Sequence, residues 1–176
     1  MAIPGVRFRA VSPRPNYLDK GRVNRAIRQG LEKECAPRLK SYFTRIVAPW
    51  SAEHRPDFET NVEGEETKGY VLTCKPVGDN AKYWLWTSRG TRPHKIVAKN
   101  APRLLFQLGY QPHTEPGGHY NGPGVATGPW MAAKSVNHPG TKPRYFEEAI
   151  GRWYAPVFKR TMAEVIKYAI AQGIGK

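Results

Sequence analysis

The chain has 176 residues, 40% of them hydrophobic and 11% aromatic, with 28 Lys and Arg against 14 Asp and Glu for a formal charge of +14. That length bounds it to one domain, or one domain with extended arms, and the apolar content suffices for a packed core, which excludes a fully disordered chain. No apolar run reaches the roughly 18 residues a membrane-spanning helix needs, and the amino terminus lacks the apolar core of a secretory signal, so the chain is expected to stay in the compartment where it is made.

The first stretch, residues 1–17, holds Pro4, Pro13 and Pro15 with Arg7, Arg9 and Arg14 between them. Proline withholds the backbone donors a helix needs, so this reads as an extended arm. From residue 18 onward the pattern predicts a single α+β domain. Val23, Ile27, Leu31, Cys35, Leu39 and Phe43 recur every fourth residue, with Arg22, Arg25, Arg28, Lys33 and Lys40 on the other side. That is an amphipathic helix, and Pro37 predicts a kink or break near Ala36. Cys35 and Cys74 are too far apart for a paired-cysteine redox or zinc motif and read as two reduced, half-buried small residues of a reducing compartment.

A three-strand meander is expected next, over residues 58–62, 69–77 and 82–87, the last dense in residues that favour pleated surfaces. Two short strands follow at 95–98 and 103–108. Residues 110–129 carry five glycines and four prolines and read as a long mobile loop. A strand over 130–136 and a turn-rich link over 137–144 lead to a closing helix from Tyr145. Its apolar stripe is Phe146, Ile150, Trp153, Val157, Met162, Val165, Ile166, Ala169 and Ile170, with a kink or restart predicted at Pro156. The order helix, sheet, helix indicates an α+β fold: a small antiparallel or mixed sheet packed against an amino-terminal and a carboxy-terminal helix, with the arm and the long loop as additions.

Charge alternates along the chain. Residues 1–48 hold 11 basic and 3 acidic groups, 49–80 hold 3 and 7, and 81–144 hold 9 and 1. A basic patch raises nucleic-acid binding. Alternation raises head-to-tail contact between identical copies, with Arg7, Arg9, Arg14, Arg92 and Lys142 facing acids such as Glu65 and Glu66, and contacts of that kind close into rings.

Chemistry-bearing constellations are sparse. His54, His94, His113, His119 and His138 show no metal-ligand spacing, so no metal site and no cofactor are expected. Ser88 and Ser135 lack the context of an activated nucleophile. Two segments echo each other: Arg89-Gly90-Thr91-Arg92-Pro93-His94 and His138-Pro139-Gly140-Thr141-Lys142-Pro143-Arg144. In each, Gly admits a positive φ, Thr can cap or back-bond, and Pro sets the exit direction. Two similar tight turns account for these residue types. The functional reading is a pair of neighbouring corners that present Arg92, His94, His138 and Lys142 together.

The block from Trp86 to Ile96, the strand Leu104-Leu105-Phe106 and the block from Ala133 to Phe146 together resemble the neck or tail-completion proteins (minor tail components) of long-tailed bacteriophages. In that family a G-T-x-P-H-x-I strand exit precedes a short apolar strand, and a V-x-H-P-G-T-x-P link leads into the last helix. The resemblance covers about residues 82–150. The loop is longer here, and the basic arm is an addition. The resemblance implies a structural virion protein without catalytic activity. It would be made in the host bacterial cytoplasm and assemble as a ring, six-fold in the family, beside the tail terminator and head-side connector proteins, with transient contact to genomic DNA in the channel and none to membrane.

Two other readings compete. In a basic nucleic-acid-binding protein, the helix over 19–45 would track phosphates and Trp84 or Trp86 would stack on bases. A small hydrolase would need two of the histidines gathered with a carboxylate.

Overall fold

The computed structural model describes residues 5–11, 19–65, 68–111 and 124–173. Its helices and small antiparallel sheets form a mixed α+β fold, with the expected amino-terminal and carboxy-terminal helices. By its internal contacts the chain divides into two units. One comprises residues 1–45, 57–78 and 147–176, and the other residues 46–56 and 79–146.

The first unit begins with strand β1 (Val6–Ala10), which lies inside the stretch read as an arm. Helix α1 (Lys20–Gly30) starts at Asp19, whose carboxylate accepts from the Arg22 backbone N–H at 3.1 Å. Residues Leu31–Cys35 form a π-helical turn, and helix α2 (Ala36–Val47) carries on from it. Here the chain neither breaks nor stops at Pro37. In the turn the Ala36 N–H reaches back five residues to the Leu31 carbonyl, so the backbone widens just before the proline that has no donor to give. The widening also explains the stripe. A four-residue repeat drifts about 40° per step on an α-helix, and one extra residue takes back about 100° of that drift. Val23, Ile27, Leu31, Cys35, Leu39 and Phe43 are accordingly all buried.

Strands β2 (Asp57–Glu65) and β3 (Gly69–Val77) form the predicted hairpin, longer on its first strand than expected. With β1 they make an antiparallel sheet of order β1-β3-β2, in which Arg9 pairs with Val71 and Val71 with Glu63. Helix α4 (Phe146–Gly173) belongs to this unit from Glu147 onward. It continues through Pro156, which is exposed, so water can take the carbonyl bond that proline leaves open. The buried stripe runs through Tyr154 and Phe158, where the sequence reading had Trp153 and Val157. The Tyr154 hydroxyl donates to the Cys35 carbonyl at 2.8 Å, and the Phe8 ring packs 5.1 Å from Tyr154 and 4.7 Å from Phe158. Gly30 marks a close approach of α1 to α4: a Cβ there would stand 2.6 Å from a Val165 methyl.

In the second unit, residues 82–87 are not a strand. They lie in helix α3 (Ala81–Arg89), which buries Ala81, Trp84 and Ser88 at helical spacing and ends at Gly90 with φ of 72°. Aromatic content had favoured a strand, but strand preference reflects the surface that packing offers, and here Trp84 is fully buried with its ring 5.0 Å from Phe146. The expected meander is thus a hairpin completed by β1.

Between the two corners the unit's strands pair as one ribbon. Strand β4 (His94–Val97) pairs with β9 (Ser135–His138), β5 (Leu104–Gln107) with β8 (Trp130–Ala133), and β6 (Tyr110–Gln111) with β7 (Val125–Ala126). The strand expected over 130–136 is therefore two. The stretch read as a loop from 110 to 129 is paired at both ends, and its residues 112–123 lie outside the described residues.

Candidate functional site

The two echoing segments meet. Thr91 and Thr141 form an antiparallel bridge with reciprocal backbone bonds, Thr91 N–H to the Thr141 carbonyl at 3.0 Å and Thr141 N–H to the Thr91 carbonyl at 3.1 Å. The Thr141 N–H also lies 3.0 Å from the Thr91 hydroxyl oxygen. Each glycine accommodates the opposite corner. A Cβ on Gly90 would stand 2.3 Å from the Thr141 carbonyl oxygen, and one on Gly140 would stand 2.2 Å from that of Thr91. Both have positive φ, 72° and 87°. Pro93 and Pro143 flank the same contacts, with their nitrogens 3.1 and 2.9 Å from those virtual Cβ positions.

Just beyond the bridge, His94 pairs across the ribbon with His138, ring centres 5.1 Å apart. His94 Nδ1 donates to the Arg92 carbonyl at 2.8 Å, whereas His138 Nδ1 accepts from the Gly140 N–H at 3.0 Å. In the neutral rings these bonds assign opposite tautomers, leaving His94 Nε2 an acceptor and His138 Nε2 a donor. Trp86, Thr91, Arg92, His94, His138 and Thr141 line a cleft of about 430 Å³. The cleft offers an aromatic face, a guanidinium and a complementary donor–acceptor pair. No carboxylate lines it, so the gathering of two histidines with an acid that a hydrolase needs does not occur there.

Gly90, Thr91, Pro93, His94, His138, Pro139, Gly140, Thr141 and Pro143 therefore belong to one pair of corners. Arg92 joins the cleft. Lys142 is exposed and does not line it. In the first unit, Arg7 and Arg9 are on β1, where Arg9 donates to the Lys68 carbonyl, and Glu65 ends β2 in an ion pair with Lys68 at 3.1 Å. Arg14, Glu66, His113 and His119 lie outside the described residues.

Sequence reasoning missed Ser88. Its carbonyl accepts the N–H groups of Arg144 and Tyr145, both at 2.9 Å, and its hydroxyl accepts that of Phe146 at 3.0 Å. Three donors at the start of α4, which has no partner of its own for them, are satisfied by the end of α3. Tyr145 takes φ of 54° to deliver them. Also missed was the ribbon's uncovered apolar surface: Leu105 is 71% exposed, Trp130 64%, Tyr110 58% and Met131 46%. The Leu105 and Trp130 pairs alternate with those of Phe106 and Met131 along the register, so the ribbon is apolar on both faces. Its composition looked like ordinary core strands, and only the pairing and the exposure of Leu105 and Trp130 show that these apolar side chains are not core.

No known protein family, curated protein or solved structure matches the chain.

Proposed function

We propose that this chain is a structural virion protein of a tailed bacteriophage, a neck or tail-completion component that joins tail to head by assembling as a ring of identical copies. The observation that carries the reading is the two-stranded ribbon, with Leu105 and Trp130 both more than three-fifths exposed. A ribbon of two strands is marginal by itself in water, and apolar patches of this kind are characteristic of surfaces that meet another protein. The resemblance adds the partner class. Its two blocks, G-T-R-P-H-K-I and V-N-H-P-G-T-K-P, are the two corners that hold the ribbon's base. On this reading the site is an assembly site with no catalytic group and no cofactor. The ring is six-fold and sits between the tail terminator and the head-side connector proteins, in a particle made in the host cytoplasm.

A basic nucleic-acid-binding protein is the second reading, favoured by Trp86, which is 48% exposed beside Arg92 in the cleft. Trp84 is fully buried and offers no face for stacking. Sedimentation and duplex DNA binding separate the readings. A ring component sediments as a discrete oligomer with little DNA affinity at about 150 mM salt, whereas a nucleic-acid binder loses affinity steeply as salt rises. A monomer that holds duplex DNA tightly at that salt overturns the assembly reading.

A further inference from the structure

Within the ribbon, residues 94–111 and 124–138 contain no Asp or Glu. Lys95, Lys99, Arg103 and Lys134 are exposed there, and none makes an ion pair among the described residues. Lys99, Arg103 and Lys134 lie at the ribbon's middle, where β4 passes to β5 and the Ala98 N–H bonds to the Lys134 carbonyl across the strands at 3.1 Å, and Lys95 precedes them on β4, paired with Asn137. Leu105 and Trp130 are close by. Leu105 pairs with Ala132 and Gln107 with Trp130, so Leu105 and Trp130 are diagonal neighbours on one face.

Whatever covers this surface must bring negative charge. A second ribbon is the poorer occupant, because it would set cation against cation. The chain itself carries a matching strand. On β2, Asp57, Glu59, Glu63 and Glu65 occupy alternate positions of one face and are exposed. Among the described residues Asp57 and Glu63 make no ion pair, and those of Glu59 and Glu65 are exposed contacts at 3.7 and 3.1 Å, which contribute little. Strand β2 is also outermost in the order β1-β3-β2, so among the described residues its second backbone edge has no strand beside it.

We infer that the basic middle of the ribbon in one copy docks along the acidic edge strand β2 of a second copy. The patch and the surface it meets are different, so every copy keeps one of each to offer, and repetition of a heterologous contact closes a ring. This inference rests on the assembly reading above and names the surfaces that it uses.

Charge reversal in the full chain tests it, read by sedimentation velocity and light scattering, with circular dichroism to confirm folding. Glu59→Lys/Glu63→Lys/Glu65→Lys and Lys95→Glu/Lys99→Glu/Arg103→Glu are each expected to weaken self-association about a hundredfold or more, since like charges then face each other. Mixing the two variants, or joining all six changes in one chain, restores it. If the wild-type oligomer survives both reversals intact, the docking surfaces are wrong while the ring reading stands. In that case the β2 acids serve only to keep an exposed edge from pairing. A wild-type chain that stays monomeric at low salt and high concentration overturns both. Reversed variants that are folded but are not rescued by each other also overturn the pairing.

Discussion

Gly140 shows how narrow the tolerance is at the corners. Its backbone is left-handed, and the space a side chain would need is filled by the Thr91 carbonyl oxygen, an atom that cannot move without breaking the bridge. Gly140→Ala is expected to cost about 2–4 kcal/mol in denaturant unfolding, more than the φ strain alone, because the clash adds to it. Buried titratable groups in the first unit make a different demand. Burial pushes the Cys74 thiol up to about 12 from its ordinary 9.0, and it also raises the Cys35 thiol and the Tyr154 hydroxyl. The folded chain holds these protons to higher pH than the unfolded chain does. Their stabilising contribution is therefore complete below pH 9 and is lost as pH climbs toward 12. The urea midpoint should fall across that window, and Cys74→Ala should flatten part of the fall. An equal fall in the variant would show that the thiol has no part in it.

At the scale of elements, α3 separates what periodicity reveals from what it hides. Trp84 and Trp86 share a face in a strand but point far apart on a helix, and here one is fully buried while the other is 48% exposed. Trp84→Ala should cost about 3–5 kcal/mol and Trp86→Ala about 1 kcal/mol or less, as read by thermal unfolding. Similar losses would return the segment to a strand. The first helix was legible because its stripe is long, and long periodic segments constrain their own face. The π turn was not, since a four-residue repeat looks like an ordinary helix until its accumulated drift is counted. The phase of α4 was legible at Phe146, Ile150 and Met162 and slipped by one at Tyr154 and Phe158. Trp153 and Val157 are as apolar as their neighbours, and only the packing against Phe8 and the hydrogen bond to Cys35 select between them. The corners were legible as two similar turns. Their union was not, because a bridge between residues 50 apart leaves no local trace.

For the molecule as a whole, the net charge of +14 conceals its own pattern. The cations of the ribbon have no acid on their own strands, and the acids of β2 lie in the other unit. On the assembly proposed above, a salt titration should reveal this: raising ionic strength from about 50 to 500 mM should dissociate an oligomer of this chain, because exposed pairs are screened over that range. An oligomer indifferent to salt would place the burden on apolar contact alone. The sign of the charge first suggests DNA, whereas its distribution is served equally well by a neighbouring copy.

The Thr91–Thr141 bridge has one further consequence, for how the chain can change. It brings together two points between which the whole ribbon is strung, so the path out and the path back begin and end at the same place. A segment inserted this way behaves as a cartridge, and its length is not fixed by the fold that holds it. Replacing residues 95–137 by a short Gly-rich turn should leave a chain that still folds cooperatively, with α3 and the start of α4 still joined through Ser88, but that no longer assembles. Relatives of such a chain would be free to lengthen, shorten or exchange the cartridge to suit a different neighbour without redesigning the rest.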